Sequence, residues 1–141
     1  MSLNLPNIDN LNNTKQVIDL GYAISIAEGF GADPNNVPTR AHNPGDLKIP
    51  NWKGPVTGSE GITVFPNDTV GWNHLYDQLN RIRNNRSHVY LKSMTFAQFA
   101  RVWTDTAQSS WLNNILEELK KLGYTINEST TLQDFFSSKE M

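Results

Sequence analysis

The chain has 141 residues, a net charge of −2, and 38% hydrophobic against 18% charged residues, a balance that fits one domain with one core. It has no cysteine, which excludes disulfides, thiolate nucleophiles and Cys-based zinc sites. No basic stripe marks it as a nucleic-acid binder, and no apolar run approaches the ~20 residues needed for membrane insertion.

Residues 1–13 are rich in Asn and Leu and read as an N-terminal arm, leaving residues 14–141 as the folded domain. The arm has neither a basic n-region nor an apolar h-region, so synthesis in the cytoplasm without a signal peptide is expected. Thr14 can cap a helix running to about Phe30. At helical spacing Val17, Leu20, Gly21, Ile24, Ala27 and Glu28 share one side. Ile18, Tyr22 and Ile26 occupy other sides, as in an embedded helix.

Residues 32–60 hold five of the seven prolines and are too punctuated for helix. A loop of this length in a small domain is usually functional or contains short strands. The segment GITVF, residues 61–65, reads as a strand, with DLKI, residues 46–49, as a second. After Phe65, Asn67 or Asp68 caps a helix with Trp72, Leu75, Tyr76, Leu79 and Ile82 on one stripe. Thr95 and Gln98 form a capping box that opens the segment 96–103. Ser109 or Ser110 starts a helix carrying Trp111, Leu112, Ile115, Leu116 and Leu119, which Gly123 ends. Thr130 and Gln133 form another capping box before Phe135. The expected fold is α+β and mostly α-helical, with a small β-hairpin or sheet lobe after the first helix and a cleft between lobes.

Glu28 is the residue that points to chemistry. It lies about 20° from Val17 on the helical wheel, on the apolar stripe. A carboxyl there loses solvent and its charged form is disfavoured. The proton then stays available near neutrality, as a general acid requires. Cleavage of a glycosidic bond needs that step, because the leaving oxygen departs poorly unless protonated. The bland alternative is a glutamate that turns outward at Gly29. The turn Asn43-Pro44-Gly45-Asp46 adds an Asx-type turn former, a rigid and a flexible residue, and a carboxylate.

In this order, AEGFG, PTRAHNPGDLK and GITVFPNDTVGW resemble the lysozyme-like superfamily, and within it the phage-associated and bacterial cell-wall glycosidases of lytic-transglycosylase type. The TFAQFARVW segment and Trp111-Leu112 resemble later helices of the same family, so the likeness covers roughly residues 16–125. The resemblance implies a lysozyme-like fold and cleavage of the β-1,4 bond between N-acetylmuramic acid and N-acetylglucosamine in peptidoglycan glycan strands. It places the acid/base on Glu28, and cleft-shaping and substrate contact on Asn43, Pro44, Gly45 and Asp46. Phe65 and Gly71 fall on the family's element leading into the next helix. His42 and Asp46 stand where relatives often carry Asn. No cofactor or metal is implied. Without an export signal, such an enzyme would act at the cell wall or periplasm by phage delivery, holin release or a dedicated secretion route.

Hydrolases of this chemistry use a carboxylate pair, and Glu60 or Asp46 are the candidates for the second member. The lytic transglycosylases need one Glu, since the substrate's own N-acetyl group assists. Trp52, alone in the polar loop, is the candidate sugar platform, with Tyr90 and Trp103 behind it. Trp72 and Trp111 lie on helical stripes and read as core. Two rivals stay open: a lysozyme or chitinase using Glu28 with Glu60 or Asp46, and a non-catalytic glycan-binding or virion structural module.

Overall fold

The computed structural model describes residues 13–57, 60–104 and 107–138. The arm expected at residues 1–13 lies outside these except for Asn13, whose side chain meets that of Asn80. Among the described residues six helices follow in chain order: α1 (Lys15–Glu28), α2 (Val37–Arg40), α3 (Asp68–Arg83), α4 (Phe96–Trp103), α5 (Gln108–Lys121) and α6 (Leu132–Ser137). None is long and apolar enough to cross a membrane.

Helix α1 forms the middle of the molecule. Thr14 accepts from Val17 N at its start, and Gly29, at φ 83°, closes it in the left-handed conformation, which glycine adopts without a Cβ penalty. Its helical residues end at Glu28 rather than Phe30. Val17, Leu20, Ala23 and Ile24 are fully buried, and the helix packs against α5, α3 and α6. Burial extends round the helix to Asp19, whose carboxylate accepts from the Tyr124 hydroxyl at 2.8 Å and pairs with Lys15. This ties the segment after α5 to the central helix.

Helix α3 buries Trp72, Leu75, Tyr76, Leu79 and Ile82 as its stripe predicts, and Asn67 is its cap. The Thr95–Gln98 capping box opens α4. Two starts differ from the sequence reading. Helix α5 begins at Gln108 behind Ala107 in a left-handed conformation, with no side-chain cap, and α6 is capped by Thr131, which accepts from Asp134 N. Thr95 and Thr131, the caps of α4 and α6, face each other in an isolated bridge, so one backbone contact sets both helix starts.

The expected β lobe is not there. Among the described residues no strand forms, and residues 29–67 hold only the short α2 and an isolated Val56–Thr63 bridge. The reason is local. Prolines 44, 50 and 55 remove ladder donors, while His42, Asp46, Asn51 and Gly61 take positive φ, which interrupts any extended run. The segment is held by scattered backbone bonds, such as Val64 N to Pro55 O at 3.0 Å and Phe65 N to Ala41 O at 2.9 Å, and by side chains. The fully buried Asn43 donates through Nδ2 to Leu47 O at 2.9 Å and Thr63 O at 2.8 Å, and its Oδ1 accepts from Leu47 N at 2.9 Å. Thr63 Oγ1 accepts from Ile49 N at 2.9 Å. GITVF and DLKI are thus neighbours joined by one backbone bond, Thr63 N to Leu47 O at 3.0 Å, and by amide and hydroxyl side chains rather than by a ladder.

Helix α3 comes closest to this segment at Gly71. A Cβ on Gly71 would lie 1.9 Å from the His42 carbonyl oxygen, so only glycine permits the contact. The His42 ring and Asp68 carboxylate meet beside it at 2.7 Å.

Candidate active site

Glu28 is the last residue of α1, and its Oε2 accepts from the indole Nε1–H of Trp111 on α5 at 2.9 Å. The side chain sits between core and solvent. Burial pushes its carboxyl up to about 7, and the charge of Asp46 adds to this. The Trp111 N–H, and after it the Trp103 N–H, pull the other way by stabilising the carboxylate. Desolvation wins, because two neutral donors do not replace the water that a carboxylate loses.

The indole floor under Glu28 is built by α4 and α5. The Trp103 and Trp111 rings stack with centroids 6.1 Å apart, and Phe99 backs both, 5.3 Å from Trp103 and 5.8 Å from Trp111. Trp103 Nε1–H also donates to the Gly45 carbonyl at 3.2 Å, which pins the Asn43–Asp46 turn to α4. A buried indole N–H needs an acceptor, and here one ring finds the acid and the other finds the loop beside it.

Asp46 takes φ 54°, and its Oδ1 is buried with no hydrogen-bond partner. Burial raises its pKa, Glu60 raises it further, and Lys48 lowers it. The Asp46 charge thus acts on Glu28, and the charge of the exposed Glu60 acts on Asp46.

A groove of about 590 Å³ runs from this turn across α3 to the loop after it, with Gly45, Asp46, Trp103, Tyr90, His74 and Arg81 among its walls. Glu28 is not on its wall. Asp46 and Trp103 line the groove and also act on Glu28, the first by its charge and the second by its N–H. A cleft with aromatic and polar walls beside a perturbed carboxyl has the form of a ligand site.

The residues singled out from the sequence divide accordingly. Asp46, Gly45, Trp103 and Tyr90 line the groove. Asn43 and Pro44 are buried and shape it from behind. Phe65 is also buried, stacked on His74 at 4.7 Å, and makes no wall. Trp52 does not line the groove either. It packs edge-on against Phe65 at 5.6 Å and donates to Pro55 O at 3.0 Å, so the expected sugar platform is a lid over a small aromatic stack. Trp111, read as core, is core and also the partner of the acid. Its signal was an indole N–H on a buried stripe, a donor that must be satisfied.

Among the described residues no group of three or more His, Asp or Glu side chains is placed to hold a metal ion. No protein-family model, curated protein or solved structure matches the chain.

Proposed function

We propose that the protein cleaves the β-1,4 glycan of peptidoglycan, with Glu28 as the single acid/base of a lytic-transglycosylase reaction. The observation that carries this reading is the Glu28 carboxyl with its pKa raised to about 7, held by Trp111 beside a groove with aromatic walls. The motif order AEGFG, HNPGDL and VFPNDTVGW supports the substrate class by its resemblance to cell-wall glycosidases.

In the first step the Glu28 proton passes to the glycosidic oxygen as the C1–O bond breaks, and the substrate's N-acetyl oxygen closes on C1. In the second, the Glu28 carboxylate takes the proton of the 6-hydroxyl as that oxygen attacks C1 and displaces the acetamido oxygen. The product is an anhydro sugar, and Glu28 returns to its protonated state. A pKa near the working pH serves both directions of transfer.

One observation favours a second reading. Asp46 lies close enough to raise the Glu28 pKa, and its buried Oδ1 has no partner. In a hydrolase it would orient the attacking water, as the second carboxylate of an inverting pair does.

Mass spectrometry of muropeptides released from sacculi tests both, with Glu28→Gln alongside. Anhydro products that vanish in Glu28→Gln are expected. Products heavier by one water indicate the hydrolase. Release of neither, with the protein still pelleting with sacculi, replaces both with a binding module.

A further inference from the structure

The groove changes character along its length. Its inner end, beside Glu28, has the rings of Trp103 and Tyr90, surfaces suited to the CH faces of sugars. Arg81 at the end of α3 and Arg86 and His88 in the loop after it make its outer end, and the apolar Val89 and Val102 also line it. Val89 is 56% exposed and Val102 42%, so both present side chains to whatever enters. Arg81 pairs with Asp77 at 3.0 Å, whereas Arg86 is exposed and has no carboxylate partner among the described residues.

This end is preformed. Ser87 Oγ accepts from Val89 N at 3.2 Å and from Tyr90 N at 2.9 Å. Arg86 N donates to Arg81 O at 2.7 Å. Tyr90 anchors the loop by packing on Phe99 at 5.3 Å and Trp103 at 5.5 Å. The ring that forms the inner wall thus also holds the outer loop.

Resting on the glycan-cleaving reading above, we infer that the outer end of the groove binds the acidic peptide stem carried by the muramyl sugar, with Arg86 taking a stem carboxylate. Guanidinium binds carboxylate by paired N–H donors. The two valines suit the small apolar side chains between the stem's carboxylates. A neutral, hydroxyl-rich sugar chain would use neither feature. Within a chain of net negative charge, Arg86 brings a positive charge to the groove wall that an anionic ligand can meet. The enzyme then prefers glycan bearing stems over bare glycan, and the stem fixes which sugar lies over Glu28.

The test compares cleavage of intact sacculi with cleavage of the same glycan after an amidase has removed its peptides, for wild type and Arg86→Glu. Wild type should show a kcat/KM about tenfold higher on the stem-bearing substrate, the scale of one charge-assisted contact. In Arg86→Glu that ratio should fall to about one. Equal wild-type rates on both substrates, or a ratio retained in Arg86→Glu, overturn the subsite and leave the glycosidase reading standing. No cleavage of either substrate overturns both. Pelleting of Glu28→Gln with intact and with stripped sacculi supplies an arm independent of turnover. Binding should be weaker to stripped sacculi, and equal binding to both overturns the subsite. Circular dichroism of Arg86→Glu checks that the fold is kept, as the exposed position leads one to expect.

Discussion

Trp111 Nε1 and Glu28 Oε2 meet at 2.9 Å across the interface of α5 and α1, so the residue that ends the central helix is oriented by the helix packed most extensively against it. The hydrogen bond favours the ionised carboxylate, while burial favours the neutral acid, and burial prevails. The acid is therefore fixed in direction without being fixed in charge.

Glu28→Gln keeps the acceptor for Trp111 but has no proton to give. Muropeptide release should fall by at least about a hundredfold, the scale of general acid–base catalysis, with the circular dichroism spectrum unchanged. Residual activity within tenfold of wild type, judged on the same scale, would remove Glu28 from the reaction.

The raised pKa has a stability consequence. The folded protein holds a proton on Glu28 up to about pH 7, whereas the ordinary value is 4.5, so between these values the folded state binds more protons than the unfolded one. Stability from this group is complete below the lower value and is lost as pH rises through the upper one. After discounting for the carboxyl's partial exposure, roughly 2 kcal/mol should disappear across that window. Denaturant titrations of wild type and Glu28→Gln over the same pH range should differ by that amount, with the variant more stable on the alkaline side.

Asp46→Asn and Trp111→Phe should move the alkaline limb of the activity profile in opposite directions. Removing the Asp46 charge lowers the Glu28 pKa, so activity is lost at lower pH. Removing the Trp111 N–H raises it, so activity persists to higher pH, although the carboxyl is less well aimed and kcat falls. Trp111→Phe should also destabilise the fold by about 1–2 kcal/mol, for one hydrogen bond to a charged group and some lost packing. Limbs that shift the same way in both variants would refute this account of the site's electrostatics.

Asn43→Ala should cost about 2 kcal/mol, since it strands Leu47 N and Thr63 O in a buried setting, whereas Leu47 O keeps the Thr63 N–H. Gly71→Ala should cost at least about 2 kcal/mol, because its Cβ collides with the backbone of His42 rather than with a flexible side chain. Both are read from urea midpoints. A midpoint unchanged in Asn43→Ala would mean that water replaces the amide without loss.

The helical part of the fold was legible because its signals are local. Thr14, Asn67 and the Thr95–Gln98 box cap where the sequence places them, and the stripes of α3 and α5 bury the residues their spacing selects. The sheet was misread because β-branched composition at 61–65 says nothing about whether a partner can offer a ladder. Prolines and left-handed residues across the loop prevent one, and Asn43 takes over. The partial burial of Glu28 was legible from its place on a stripe. Its partner was not, because Trp111 satisfies an apolar pattern and its N–H has no periodicity. A buried donor and a partly buried acceptor on different helices were each unexplained alone, and only their tertiary proximity resolves them. Arg86 was equally silent, since an exposed arginine after a helix is ordinary until the groove beside it is seen.

Fastening the groove's near wall at a few points, the Asn43 carboxamide, the Thr63 N to Leu47 O bond and the Trp103 indole, separates its position from its length. A paired sheet would force every insertion to respect a two-residue repeat on both strands. Here the chain beyond Leu47 returns at Thr63 to the same anchor, so the excursion between them can lengthen, shorten or change composition while the turn beneath Trp103 stays in place. Diversity among variants of this domain should therefore concentrate in that excursion, leaving the acid and its floor untouched.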